Sequence, residues 1–133
     1  MPAVVPASLR ISIDVLAEVR VGETVPMTLR LQNIGDRSLD LYLRGRTIAF
    51  DVVVTRNDGS VVWRRLEGEI IPAIIQHVLL GAGEVLALET EWDQRATAGT
   101  PVEPGLYYVQ ATLPTDEGDP PTSQLTQIHI VTI

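Results

Sequence analysis

An all-β fold of two facing antiparallel sheets is the architecture that the 133-residue chain predicts, and three observations predict it. Apolar residues alternate with polar ones at a period of two along several runs, which turns one face of each run toward a core and the other toward water. Gly-centred turn signals separate those runs at short spacing. Late in the series, Pro104-Gly105-Leu106-Tyr107-Tyr108 delivers a Tyr into a run two residues after a Pro-Gly turn. That is the pattern of the tyrosine corner, where a phenol ties one strand to a nearby connection in immunoglobulin-like sandwiches. The expectation is therefore one immunoglobulin-like two-sheet antiparallel sandwich of about eight or nine strands, with no helix.

The elements follow in order. After a loose segment over residues 1–8, Leu9, Ile11, Ile13 and Val15 alternate with Arg10, Ser12 and Asp14 as the first strand. Ala17 to Val21 extends or bends it, and Val21-Gly22-Glu23-Thr24 turns the chain. Val25, Met27, Leu29 and Leu31 alternate with Thr28, Arg30 and Gln32 until Asn33-Ile34-Gly35-Asp36 stops them. Leu39, Leu41 and Leu43 form a third run, broken by Gly45 and Arg46. Ile48 to Arg56 and Val61 to Arg64 flank Asn57-Asp58-Gly59-Ser60, where Asp-Gly supplies the positive φ of a tight hairpin. In Leu66 to Ala73, Gly68 and Pro72 argue against a continuous strand, so this stretch reads as an exposed connection.

Ile74 to Leu80 and Val85 to Trp92 flank Gly81-Ala82-Gly83-Glu84, which reads as a second hairpin turn. An irregular stretch, Asp93 to Glu103, leads into the Tyr-corner strand Leu106 to Leu113. A polar, Pro-rich loop over Pro114 to Ser123 precedes the closing strand Gln124 to Ile133. Trp63 and Trp92 lie in strand contexts, where a large ring usually supplies interior volume rather than a ligand platform. With Gly105 and Tyr107 they are the expected structural residues. Where immunoglobulin domains place a core Cys two residues after the corner Tyr, this chain has Val109, expected to face Leu29 or Leu31.

Composition narrows the function. Cysteine is absent, which removes disulfides, thiolate metal sites and a thiol nucleophile. The net charge is -7, every basic residue is Arg, and residues 66–133 hold Arg95 alone against ten acids. Such a chain repels phosphate backbones, so no nucleic-acid partner is expected. The start, Met1-Pro2-Ala3-Val4-Val5-Pro6-Ala7-Ser8, lacks a basic region and a long apolar stretch, so no leader or membrane association is expected and the location expected is cytoplasmic.

The motifs supply no chemistry either. His77 and His129 have no His, Cys or carboxylate at ligand spacing on their own strands, so no metal is expected. Ser60 sits in a hairpin turn without the strand-to-helix elbow of a nucleophile. Asp116, Glu117 and Asp119 lack the regular spacing and bidentate Glu of a calcium loop and read as a solvated loop. No catalytic residue and no cofactor are expected.

From Phe50 to Leu113 the order of features resembles the intracellular proteinase inhibitor (BsuPI) family. The residues that carry the resemblance are Phe50-Asp51-Val52-Val53-Val54, Asp58-Gly59 before Val61-Val62-Trp63, Ala73 before an apolar strand, Gly83-Glu84 before another, Trp92, and Pro104-Gly105 with Tyr107. Val25 to Asn33 fits that family's opening. The chain departs from the family at Ile70, Ile71 and Pro72, where an aromatic and a Gln are usual ahead of the Ala, and at Ala82, where Pro is usual. The resemblance implies a non-catalytic domain that binds and blocks an intracellular serine protease of the subtilisin type. Such a partner needs an exposed, stiff connection to grip. Three could present one: Leu66 to Ala73, ranked first for its apolar Ile70, Ile71 and Pro72; Asp93 to Pro104, with Arg95; and Pro114 to Ser123. The other function these residues allow is an immunoglobulin-like adhesion or accessory module that pairs through a strand edge.

Overall fold

A computed structural model describes residues 9–45, 48–68, 74–113 and 122–132. Ile70, Ile71, Pro72, residues 1–8 and Asp116, Glu117 and Asp119 lie outside these. The described residues hold ten strands: β1 (Leu9–Val15), β2 (Glu18–Arg20), β3 (Val25–Asn33), β4 (Leu39–Arg44), β5 (Asp51–Arg56), β6 (Val61–Arg64), β7 (Ile75–Leu80), β8 (Val85–Trp92), β9 (Gly105–Thr112) and β10 (Thr126–Val131). One sheet runs β1-β3-β8, the facing sheet β2-β10-β9-β5-β6, and β4 pairs with β7 in a separate ribbon. The immunoglobulin-like sandwich expected from the alternating runs is the fold observed, with ten strands in place of eight or nine.

The core follows from the period of two. β3 buries Val25, Met27, Leu29, Leu31 and Asn33 and turns Pro26 and Arg30 outward. The facing sheet answers with Val52 and Val54 of β5, Tyr107, Val109 and Ala111 of β9, and Ile128 and Ile130 of β10, all in one buried cluster. Val109 and Leu29 are both inside it, so aliphatic packing fills the position of a disulfide. On the outer face of β3, Arg30 pairs with Asp14 of β1.

Three features go beyond the sequence reading. First, β2 does not extend β1. It crosses to the other sheet and runs parallel to β10, with His129 N donating to Ala17 O at 2.8 Å and Val21 N to Val131 O at 2.9 Å. A three-residue strand with only Val19 turned inward is too short to show an alternation.

Second, Gly81 to Glu84 is not a hairpin. β7 pairs with β4 while β8 pairs with β3, so the turn carries the chain from the ribbon into the sheet. Gly83 takes φ +78 and Glu84 N donates to Gly81 O at 3.0 Å. Turn chemistry reports a change of direction, not the pairing of its flanks. The corner is locked by Asn33, fully buried at the end of β3. Its amide Nδ2 donates to Arg37 O and Leu80 O at 2.6 and 3.0 Å, its Oδ1 accepts Gly35 N, and its main chain exchanges hydrogen bonds with Gly83 N and Glu84 O.

Third, the β4–β7 ribbon has a wet side. Leu41, Leu43 and Leu80 turn into the core, whereas Tyr42, Ile75 and Leu79 stand exposed. The β5–β6 hairpin, by contrast, is as expected. Gly59 has φ +87, and Asp58 Oδ1 accepts the amide and hydroxyl of Ser60 at 2.9 and 2.7 Å. Those two donors hold the Asp58 carboxyl below the usual carboxylate range. No helix among the described residues is long and apolar enough to cross a membrane.

Candidate protein-contact site

One end of the sandwich gathers both Trp side chains and Tyr107. Trp92, fully buried at the end of β8, stacks on half-buried Trp63 of β6 at 6.1 Å and meets the Tyr107 ring edge-on at 6.1 Å. These are the residues read as structural, and the structure packs them together as an indole and phenol clamp. Each buried polar atom of the clamp finds a carbonyl, as burial demands. Trp92 Nε1 donates to Arg95 O at 2.9 Å, and Tyr107 O–H donates to Glu103 O at 2.5 Å. The second bond is the tyrosine corner. Burial pushes the Tyr107 phenol pKa up, and the carboxylate of Glu103 adds to the rise while Arg56 opposes it. Gly105 opens β9 with φ +148, a backbone that a Cβ would strain.

Both clamp bonds land on the connection between β8 and β9. That stretch, expected to be irregular, is a small hairpin from Gln94 to Val102. Ala96 N donates to Thr100 O at 2.8 Å, Gly99 N to Ala96 O at 2.8 Å and Val102 N to Gln94 O at 3.0 Å, while Arg95 and Pro101 form an antiparallel bridge. Gly99, at φ +92, takes the left-handed position that follows the turn. Thr97 N donates to Val62 O of β6 at 3.0 Å, which lays the hairpin along the open edge of β6. From Thr97 through Pro101 the tip is exposed.

The root of the hairpin is Gln94, which sequence reasoning missed. It is 3% exposed and is the one non-Gly residue with positive φ, +60, among those described. Its Nε2 donates to Arg20 O and Glu23 O at 2.7 and 2.9 Å, and its Oε1 accepts Gly22 N at 3.1 Å. Three hydrogen bonds to the β2–β3 turn hold the side chain, so the strained backbone is over-determined. A polar residue two positions after a Trp carries no signal of such a role.

Arg95, read as a contact residue, sits at the base of the hairpin with its side chain half exposed. Its Nη1 donates to Gly99 O at 3.0 Å, and its own amide is held by Asp93 Oδ1 at 3.1 Å. It borders a groove of about 260 Å³ between the hairpin and β6, lined also by Trp63, Arg64, Glu67 and Thr97. Glu67 belongs to the turn that begins the Leu66 to Ala73 connection. Two of the three connections singled out in the sequence thus share one groove, while Ile70, Ile71 and Pro72 lie beyond its described part. On the ribbon, Asp40 Oδ1 and His77 Nε2 are 2.6 Å apart, a pairing across strands that spacing along one strand did not show. No cluster of three metal-ligating side chains occurs among the described residues.

Among solved structures, the chain is similar to a CARDB domain from Pyrococcus furiosus, solved in complex with di-metal ions, at 18% identity, a TM-score of 0.47, and coverage of 92% of this chain and 87% of that one. It is also similar to the alkylpurine DNA glycosylase AlkC of Pseudomonas fluorescens (14% identity, TM-score 0.50, 93% of this chain and 30% of that one). A third likeness is to a β-glucosidase from Listeria innocua (17% identity, TM-score 0.48, 92% and 16%). The glycosylase likeness speaks to fold alone, and the chain spans under a third of that enzyme. No curated protein matches. The family model described as intracellular proteinase inhibitor matches residues 13–118, most of the sandwich with its clamp and hairpin, and the chain therefore belongs to the BsuPI family of intracellular proteinase inhibitors.

Proposed function

We propose that the chain is a non-catalytic protein-binding domain that inhibits a serine protease of the subtilisin type inside the cell. The observation that carries this reading is the family match over residues 13–118. The rigid, exposed connection beside Arg95 supports it, because a loop already fixed in shape loses little entropy on binding. The proposed contact surface is the end of the sandwich bordered by Arg95 and Glu67, together with Ile70, Ile71 and Pro72, which follow Glu67 along the chain.

The test is a titration of the purified chain against a subtilisin-type protease, following hydrolysis of a small peptide substrate. Slowing at concentrations on the order of micromolar or below is the expected result. Undiminished hydrolysis at tenfold higher concentration, or steady digestion of the domain itself, overturns the proposal. One observation favours a second reading, an accessory module that pairs with another protein: the exposed Tyr42, Ile75 and Leu79 on the outer side of the β4–β7 ribbon. An apolar sheet face of this kind suits association. That reading expects no inhibition in the same titration.

A further inference from the structure

We infer that the Gln94 to Val102 hairpin is the element that enters the protease cleft, and that it enters as a closed wedge, not as an extended imitation of a substrate. The inference rests on the inhibitor reading above and names the part of the surface that acts. Three independent observations converge on this connection. The chain has two Trp and three Tyr, and the indole of Trp92 and the phenol of Tyr107 both bind carbonyls at the foot of the hairpin, at Arg95 within it and Glu103 just past it. The one non-Gly residue with positive φ among those described, Gln94, sits at its root. Strain that is held in place by surrounding bonds concentrates at functional clamps and loops. The tip itself, Thr97-Ala98-Gly99-Thr100, is exposed, small and uncharged, which suits a narrow cleft closed to larger side chains.

The shape of the tip decides how it blocks. Hydrolysis needs the scissile carbonyl held against the nucleophile and the oxyanion donors in near-attack geometry. A peptide presented that way is extended on both sides of the bond. Here Gly99 N is bonded back to Ala96 O, Ala96 N to Thr100 O and Val102 N to Gln94 O. A turn closed by three such bonds brings its ends together and cannot straighten without breaking them. Thr97 N is spent on Val62 O of β6 and is not available to pair with a protease strand. The hairpin therefore occupies the cleft without offering a cleavable bond, and it stays intact because opening it requires release of Gln94 from the β2–β3 turn.

The experiment compares four proteins in the inhibition titration, with thermal unfolding as the check on folding and mass spectrometry of the inhibitor after long incubation. The wild type is expected to inhibit and to remain uncut. Ala98→Trp, at an exposed position, is expected to keep its Tm and to weaken inhibition about 30-fold or more, the size of losing a hot spot. Gln94→Gly keeps the backbone angle available while deleting the side-chain bonds. It is expected to weaken inhibition about tenfold by loosening the loop and to be cut between Ala96 and Thr100. The double variant Ile70→Asp, Ile71→Asp, on the neighbouring part of the proposed surface, is expected to weaken inhibition less than Ala98→Trp does.

Inhibition undiminished in Ala98→Trp and abolished in the Ile70, Ile71 double variant overturns the wedge while the inhibitor reading stands. A wild type that inhibits but is found cut within the hairpin overturns the closed geometry alone. A wild type that fails to inhibit takes down the inhibitor reading and the wedge with it.

Discussion

The end of the sandwich that carries the hairpin and the β4–β7 ribbon differ in where their polar and apolar atoms go. At the hairpin end every large ring is packed against another, and Trp92 and Tyr107 each bond a backbone carbonyl of the same connection. In the ribbon, some large side chains face water: Tyr42 is 57% exposed and Leu79 62%. Tyr42 stacks on His77 with ring centroids 5.1 Å apart, yet both rings lie on the outer surface. Exposed residues appear in both regions, but only at the hairpin end is the exposed element held by buried bonds. Exposure alone marks a surface; exposure over a fixed base marks an element whose shape is set before any partner meets it.

The largest expected effect breaks the fixed base. Trp92→Ala removes a fully buried indole between Trp63 and Tyr107 and should cost about 3–5 kcal/mol, enough to unfold a marginal domain. Trp92→Phe keeps most of the ring volume but strands Arg95 O, and should cost about 1–2 kcal/mol. Urea unfolding of the two variants checks the difference. Equal losses would mean that the indole acts by volume alone and that its bond to the hairpin contributes nothing.

Next in size is Asn33, the lock between β3, the β3–β4 connection and the β7–β8 corner. Asn33→Ala leaves Leu80 O, Arg37 O and Gly35 N without their side-chain partner. Loss of buried hydrogen bonds of this kind should cost about 2–3 kcal/mol. An unfolding midpoint lowered with an unchanged m value is the expected result, since the unfolded surface is the same. Because Asn33 lies at the ribbon end, inhibition by the folded fraction should be untouched, which separates the two regions cleanly.

Tyr107→Phe is smaller and adds a pH signature. Removing the phenol frees Glu103 O and should cost about 1 kcal/mol at neutral pH. In the wild type, burial raises the pKa of this phenol in the folded state. As pH climbs past the ordinary tyrosine value of about 10, the unfolded chain gives up the proton before the native chain does. The native state then holds more protons, so this stabilisation is complete below that pH and is lost as pH rises toward the folded-state pKa. The stability gap between wild type and Tyr107→Phe should therefore narrow in alkali. A gap that widens would contradict burial as the cause of the shift.

Where the chain announced its structure, it did so through local rules. β1, β3 and β4 follow from alternation, β9 from the Pro104-Gly105-Tyr107 corner, and the β5–β6 hairpin from Asp58-Gly59. The corner motif also implies the bond from Tyr107 to the connection that precedes its strand. What stayed hidden depends on partners far along the chain. β2 is three residues whose strand character comes from β10, more than a hundred positions away. Gly81 to Glu84 shows turn chemistry, but which strands it joins is decided by β3 and β4. Gln94 draws its role from Arg20, Gly22 and Glu23, over seventy positions away, and no pattern around it points there. The Asp93 to Pro104 connection that carries Arg95 was legible as an exposed stretch and illegible in its geometry, because a hairpin closed by main-chain bonds around small residues leaves no apolar run to read.

The smallest expected effect tests the ribbon, and one strand supplies both arms. On β4, Leu41 turns inward at 5% exposure while its neighbour Tyr42 turns outward. Leu41→Ala should cost about 2–4 kcal/mol, the loss of buried volume. Tyr42→Ser, on the other face, and Leu79→Ser on β7 should each stay within about 0.5 kcal/mol, since a cross-strand ring pair in water contributes little. The measurement is urea unfolding at two protein concentrations tenfold apart. If Tyr42→Ser costs 2 kcal/mol or more and the cost grows with concentration, the outer face is buried in an assembly and the ribbon is a second contact surface. If it stays small at both, the apolar residues of the ribbon are ordinary surface, and the fixed hairpin is left as the one region whose exposure is backed by structure.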